Sequence, residues 1–365
     1  MLRFLPLFLF CFSLIYSPTA YAQETDQPRS VEAVIASVQD KSEQGRKLFY
    51  RFTAKTVLDE TFVVDTRASY PDGLYLTLGP GDRVTLRIVE MPDGTQQTFF
   101  EDKIRHPSLL LLFGLFAVLA IAVGWFHGVF SLIGLALTLI ILFGFLFPSI
   151  LSGKDPVLMT ILSSVVILAV NMHLSHGLRV RTFFAFLGTI AGLAVAILSS
   201  WWFAHATYLS GLGTEEASLV LWDIKTITDP VGLFIAATIL GAVGVLDDIA
   251  VAQSEVVEEL QSVNPEFTRK ELFVRAMRIG RHHIASTVNT LVLVYAGAAL
   301  PTFLLFFNTA QGPLVFLNNE SVAEEIVRIL AGTVALILTV PFSTLLATIP
   351  KSKIIKRVDT HSHAR

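Results

Sequence analysis

Cysteine is almost absent from this sequence, and charged residues are few. The only cysteine is Cys11, and Asp, Glu, Lys and Arg together make up 16% of the 365 residues. One thiol excludes a disulfide framework and metal sites built from several thiolates. The formal net charge of −3 argues against nucleic acid as a partner. P-loop, GxSxG and HExxH signatures are also missing, so we expect neither an enzyme nor a bound cofactor.

Apolar residues, in contrast, are abundant and clustered. They make up 53% of the chain, more than a soluble domain of this size can bury. Nearly all the long apolar runs follow Ser108, and each is about as long as a membrane span. The sequence therefore predicts an α-helical membrane bundle over residues 107–350 with about seven transmembrane helices. The predicted spans are 109–125, 129–151, 157–172, 183–204, 231–252, 284–307 and 326–349.

The first 22 residues have the pattern of a cleavable export signal. Arg3 supplies a positive start, residues 4–16 are apolar, and Ala20 and Ala22 form a small-x-small cleavage site. Cys11 lies inside this signal. We therefore predict that the segment from residue 23 is exported.

Residues 23–106 differ in kind, being polar and rich in β-forming residues. Apolar alternation or β propensity predicts strands at 31–38, 47–58, 61–64, 74–78 and 83–89. Pro-Asp-Gly at 71–73 and 92–94 predicts turns. Five or six short strands in about 80 residues favour a small all-β domain, an OB-like closed barrel.

The distribution of basic residues predicts the orientation in the cell membrane. Segments assigned to the cytoplasm carry Arg179, Arg181, the cluster at 269–281 and the basic tail at 351–365. Residues 308–325, assigned to the outside, contain three glutamates and no basic residue. Because positive loops stay inside, we predict an extracytoplasmic β domain and a cytoplasmic C-terminus.

Two adjacent carboxylates, Asp247 and Asp248, fall in the cytoplasmic half of the predicted span 231–252. A carboxylate in hydrocarbon is costly unless it finds a partner or takes up a proton, so the pair is a candidate proton or cation site. Gly244 and Gly241 lie one and two turns earlier and allow close packing or a local break. Alternatively, the span ends at Leu246, and both aspartates are interfacial.

The following span carries polar residues near its cytoplasmic end. Asn289 is the best candidate to bond an aspartate of the preceding span, with Ser286 and Thr290 in support. Alternatively, these groups only join helices, as hydroxyls and amides commonly do in membranes. His282 and the next histidine either relay protons or simply add interfacial charge. His176 we interpret only as a marker of the end of the third span.

Three long motifs resemble the YibE/F-like membrane proteins. They are GAVGVLDDIAVAQS at 241–254, Asn264-Pro265 with RKEL at 269–272, and RIGRHHIASTVNTLVLVYAGAALP at 278–301. The resemblance implies a membrane protein presumed to be a transporter or permease. It matches Asp248 to a recurrent intramembrane aspartate and Asn289 to an asparagine motif. His282 departs from the family, where an acidic residue often follows Gly-Arg.

The hairpin formed by these motifs is also similar to one in SecD and SecF, the RND-type proton-driven translocation factors. We therefore expect a transporter or a proton- or cation-coupled translocation (export) factor that uses Asp248, Asp247 and Asn289. The alternative is a membrane scaffold that does not transport and recruits a partner through its β domain. The expected partners are the lipid bilayer, a proton or cation, an unidentified substrate, and a second copy or another membrane protein.

Overall fold

The structure is a computed structural model that describes residues 29–91, 95–177, 179–309 and 312–349. The predicted signal at 1–22, the predicted turn at 92–94 and the basic tail at 351–365 lie outside these ranges. The chain divides into two compact units, Met1–Leu119 and Ala120–Arg365.

A five-stranded antiparallel sheet forms the first unit, in the order β3-β2-β1-β4-β5. The alternation of apolar and polar residues puts Phe52, Ala54, Val84 and Leu86 on one buried face. Predicted strands at 31–38, 47–58, 61–64 and 83–89 are confirmed. The strands are β1 Arg29–Gln44, β2 Lys47–Thr56, β3 Thr61–Asp65, β4 Arg83–Glu90 and β5 Gln96–Lys103.

Two expectations for this unit need correction. Residues 74–78 form no strand: Leu74 makes one isolated bridge to Leu48, and Leu74 and Leu78 are buried in the core under the sheet. The strand β5 was not predicted. Within the described residues no ladder joins β3 to β5, so the sheet is an open half-barrel and the closed OB-like barrel is not confirmed.

Ten α-helices follow in the described residues. They are α1 His106–Ile141, α2 Phe147–Leu151, α3 Pro156–His176, α4 Val180–Ala206, α5 Glu215–Asp223, α6 Pro230–Val263, α7 Arg269–Ala298, α8 Leu300–Thr309, α9 Pro313–Leu317 and α10 Glu320–Ala347. A π-helical turn, Leu142–Leu146, joins α1 to α2.

Five helical segments of the described chain are long and apolar enough to cross a membrane, and α7 with α8 makes a sixth if the bent pair is one span. The protein is therefore a multi-pass membrane protein. The predicted first and second spans together correspond to one 46-residue segment, His106–Leu151, and this accounts for the difference from seven.

That segment is broken at Trp125, whose φ of 50° and ψ of −130° are not helical. A Cβ added to Gly128 would lie 2.0 Å from the carbonyl oxygen of Ala120. Residues eight apart in a straight helix are about 12 Å apart, so the chain turns back at Trp125. Only glycine tolerates the resulting approach of the two backbones at position 128.

The helices α7 and α8 meet at Ala299 with a bend of 71°. Pro301 explains the bend, because proline lacks the N–H that would bond the carbonyl four residues earlier and its ring clashes with that carbonyl. The predicted span 284–307 is therefore a bent pair rather than one straight helix.

The core of the second unit lies where α4, α6 and α10 pack together. A Cβ at Gly188 would lie 2.3 Å from Ser343 Oγ, and one at Gly192 would lie 1.9 Å from Thr339 Oγ1. Glycines four residues apart thus let α10 approach α4 closely, as small residues do between membrane helices.

Ion pairs and hydrogen bonds connect helix termini at what we call the basic end of the bundle. Arg181 of α4 pairs with Glu258 of α6 at 2.7 Å. Arg269, the first residue of α7, donates from Nε to the Thr348 hydroxyl that follows α10, at 3.3 Å. The opposite end, where α10 begins, we call the acidic end.

Candidate functional site

The helix that carries both candidate aspartates is among the most buried of the bundle. It begins at Pro230, and Asp229 caps it by accepting a hydrogen bond from Gly232 N–H at 2.8 Å. At 1.5 Å per residue, Asp247 lies about 26 Å along the helix axis. The helix runs unbroken past both aspartates to Val263, so neither Gly241 nor Gly244 interrupts it.

Asp247 is the more buried of the two aspartates. Its side chain is partly buried, between the fully buried Leu246 and Ala250. Oδ1 is buried and has no hydrogen-bond partner among the described residues. A buried carboxyl oxygen without a partner is unusual in a folded protein, because its desolvation is not offset. A proton or cation bound at Asp247 would therefore offset the unfavourable desolvation of this carboxylate.

Asp248 lies about 100° further round the helix and is exposed in the single chain. It shares this exposed side of α6 with Gly241 and Gly244. Two histidines, His176 at the end of α3 and His283 of α7, interact with it electrostatically. Nδ1 of His176 is buried and has no hydrogen-bond partner among the described residues. A carboxylate and two imidazoles from three helices thus interact electrostatically.

Two contacts fix how α7 runs beside α6. Near the basic end, the Gln253 amide donates to the Ala276 carbonyl at 3.0 Å and lies next to Gly280. Further along, the Tyr295 hydroxyl would lie 2.1 Å from a Cβ at Gly241. The two helices are therefore antiparallel and in contact at both places.

These contacts also locate Asn289. Counted from the two contacts, Asp247 lies opposite the stretch of α7 between His282 and Asn289. Ala276, Gly280, His283 and Thr287 follow the helical repeat along the side of α7 that faces α6. Asn289 is two residues beyond Thr287, about 200° round the helix, so it points to the opposite side.

No hydrogen bond of the described residues joins Asn289 to either aspartate. Asn289, Ser286 and His282 are exposed. The Thr290 hydroxyl donates to the Ser286 carbonyl at 3.1 Å, within its own helix. Of the predicted supporting residues, Gly241 makes the close helix contact that was expected, whereas Gly244 has no heavy atom of the described residues within 4 Å of an added Cβ.

Sequence reasoning missed His176 and gave His283 only a minor role. Their electrostatic interaction with Asp248 links three helices and depends on tertiary structure. The usable signal was depth: His176, Asp248 and His283 all lie near the cytoplasmic end of their predicted spans. No three His, Cys, Asp or Glu side chains in the described ranges come together as a metal site.

Chemically, this arrangement suits the movement of protons or the binding of a cation. Adjacent carboxylates repel each other when both are charged, so neutralising one of them is favourable. The two ring nitrogens of an imidazole can donate and accept a proton, so His176 and His283 suit exchange of protons with water.

Comparison with known proteins gives one match. The model of the family described as YibE/F-like protein matches residues 112–353, which include α3 to α10 and every candidate site residue. No curated protein and no solved structure matches the chain. Since the match covers about two thirds of the sequence, this chain belongs to the YibE/F-like protein family.

Proposed function

We propose that this protein is a membrane transporter or a translocation (export) factor coupled to protons or another cation, with Asp247 and Asp248 as its coupling site. The observation that supports this best is the buried, unpartnered Oδ1 of Asp247 inside a long apolar helix. An ionised carboxylate in that position is unfavourable until it binds a proton or a cation. A site that is stabilised when the proton or cation binds, and destabilised when it leaves, can drive a transport cycle.

The two aspartates take different roles in this proposal. Asp247 is the desolvated group whose charge is neutralised. Asp248, beside His176 and His283, connects it to the basic end of the bundle, where water is nearest. Asn289 is not part of this connection, because its side chain is on the other side of α7.

We further propose seven membrane crossings, with the segment His106–Leu151 counted as two because it turns back at Trp125. Seven crossings after a cleaved signal put the β domain outside and the basic end in the cytoplasm, in agreement with the positive-inside rule. Reporter fusions after Asp102 and after Arg275 should report opposite sides of the cell membrane. The same side for both would refute the topology.

Proton or cation flux into vesicles that contain the purified protein tests the coupling site. We expect Asp247→Asn and Asp248→Asn each to reduce flux at least about tenfold, because amides keep the shape but cannot titrate. Glu259→Gln is the matched control: it makes the same chemical change on the same helix, at an exposed position near its end. It should transport like the unmodified protein.

The alternative function, a scaffold that recruits a partner through the β domain, predicts another result. No flux should depend on either aspartate, and both amide variants should behave like Glu259→Gln. That outcome would replace the transporter proposal.

A further inference from the structure

A buried ion pair lies deep in α10, near the acidic end of the bundle. Arg328 Nη1 donates to Glu325 Oε1, and only 20% and 10% of the two side chains are exposed. Arg328 also lies over the Phe234 ring of α6, 5.4 Å from its centroid. Its Nε is buried and has no hydrogen-bond partner among the described residues. Charged groups inside a membrane bundle are costly and commonly functional, and the aspartate site does not use this pair.

More carboxylates than cations surround this pair. Glu324, 2% exposed, accepts a hydrogen bond from Gly213 N–H at 2.9 Å and interacts electrostatically with Arg328, Glu325 and Glu320. Arg328 is thus the cation that both Glu324 and Glu325 interact with, and a bound proton would offset the excess of negative charge.

Tyr295 of α7 connects the ion pair to α6. It interacts electrostatically with Arg328 and Glu325. Its hydroxyl is packed against Gly241, where it would lie 2.1 Å from an added Cβ. A tyrosine hydroxyl both donates and accepts hydrogen bonds, so it can pass a proton between neighbours.

From this contact to Asp248, one side of α6 carries two glycines, which present no side chain. Gly241 and Gly244 precede Asp248 by seven and four residues, so all three lie on one side of the helix, within about 10 Å. Both glycines are exposed, and Gly244 has nothing in the described residues within 4 Å of an added Cβ. This stretch therefore leaves room for water between Tyr295 and Asp248.

We propose that the Glu325–Arg328 pair and Tyr295 form the outer entrance through which protons reach Asp248, along the bare stretch of Gly241 and Gly244. The inference rests on the proposed function and extends the proton route from Asp248 to the acidic end of the bundle. A proton from outer water binds the Glu325 carboxylate and passes by way of the Tyr295 hydroxyl and water to the Asp248 carboxylate. It then leaves to cytoplasmic water past His176 and His283, so each carboxylate returns to its starting charge.

A purely structural role for the ion pair makes a different prediction. If Glu325 and Arg328 only hold α10 against α6, the bare stretch faces lipid and the Tyr295 hydroxyl has no effect on flux. Water access and proton flux separate the two roles without reference to stability.

Thiol labelling measures water access directly. Cys11 is the only cysteine, so Cys11→Ser gives a chain without thiols, into which Gly244→Cys or Val334→Cys is introduced. Val334 is the matched control: it lies fourteen residues into α10 as Gly244 lies fourteen into α6, and it is 40% exposed. A membrane-impermeant thiol reagent added outside sealed cells should label Gly244→Cys at least about tenfold faster, because only a hydrated thiol forms the reactive thiolate. Equal rates, or labelling of Gly244→Cys from the cytoplasm only, would overturn the outer route.

Proton flux into vesicles then tests the relay. Tyr295→Phe and Glu325→Gln should each reduce flux at least about tenfold, since each removes one proton-transfer group. If Asp248→Asn abolishes flux but Tyr295→Phe and Glu325→Gln do not change it, the entrance is wrong and the coupling site stands. If no flux depends on Asp248, the proposed function fails, and a relay to Asp248 fails with it, whatever the labelling shows about water.

Discussion

Two pairs of adjacent carboxylates lie inside the helical bundle, and the structure treats them in opposite ways. Glu324 and Glu325 of α10 both have partners, a backbone N–H and an arginine. Asp247 of α6 has a buried oxygen with no partner among the described residues, and Asp248 interacts electrostatically with two histidines. The carboxylates of the first pair thus have hydrogen-bonding partners, whereas Asp247 depends on a bound proton or cation to offset its burial.

This difference changes how each pair contributes to stability. A buried carboxylate that is paired with an arginine depends on that partner, and removing the arginine damages the fold. A carboxylate without a fixed partner is free to bind and release a small cation, at some cost in stability. Three predictions test the contrast between the two pairs, from the largest expected effect to the smallest.

The largest effect should follow removal of the arginine. Arg328→Met leaves Glu325 buried without its cation, which typically costs about 3–5 kcal/mol in the free energy of unfolding. Thermal unfolding of the purified protein in detergent measures this loss of stability.

Arg328→Lys serves as the control, because it keeps the charge and should retain part of the stability. The double variant Arg328→Met with Glu325→Leu should recover most of the lost stability, since apolar residues often replace a buried ion pair at little cost. A double variant as unstable as Arg328→Met alone would show that the ion pair is not the cause.

Neutralising one carboxylate should have an intermediate effect on the free energy of unfolding. The sign of this effect should differ between the two pairs. Glu324→Gln weakens the acceptor of the Gly213 N–H and should destabilise the protein by about 1–3 kcal/mol. Asp247→Asn removes an unpartnered charge and should leave stability unchanged or slightly raised. The same unfolding assay compares both variants, and a larger loss for Asp247→Asn than for Glu324→Gln would contradict the distinction between the pairs.

The smallest effect should come from paired carboxylates in the β unit, which provide a reference at the protein surface. The Lys103 ammonium, 2.7 Å from Asp82, holds the pKa of that carboxyl below its ordinary value, and Arg87 does the same for Glu101. Because the folded-state pKa values are depressed, both pairs stabilise the fold above the unfolded pKa values. Their contribution is lost as the pH falls below about 4.

The protection factors of β4 and β5 amides against hydrogen exchange, which correct for the intrinsic effect of pH, should therefore fall below that pH in the intact protein. Lys103→Met should reduce the acid-induced loss of stability by less than about 1 kcal/mol, as expected for exposed ion pairs. Equal acid sensitivity in Lys103→Met and the unmodified protein would show that this pair is not responsible.

Sequence patterns predicted the elements whose side chains alternate or form apolar runs. The strand β5, with sequence QQTFFEDK, was missed because its polar residues hide the alternation. Residues 74–78 alternate well, yet they pack under the sheet instead of joining it. Alternation reports a half-buried extended segment, and it does not say whether that segment finds a strand to pair with.

The candidate site was predicted in part for a similar reason. The hydropathy of the sequence predicted a loop at Glu324 and Glu325. A hydropathy average treats every charged residue as unfavourable in a membrane, and it takes no account of a hydrogen-bonding partner such as Arg328 or Gly213. The same cost of burying a charge singled out Asp247 and Asp248 as a candidate site. Which side of α7 faces α6 depends on the Gln253 and Tyr295 contacts, so the pairing with Asn289 could not be tested from the sequence.

The turn at Trp125 has a consequence for biosynthesis. Only one residue there leaves helical geometry, and no polar linker separates the two apolar arms. The insertion machinery therefore receives about 45 hydrophobic residues in succession, and neither arm offers a polar signal at which to stop. We expect the segment to enter the bilayer as one preformed hairpin, so lengthening the turn with polar residues would convert a concerted insertion into two separate ones.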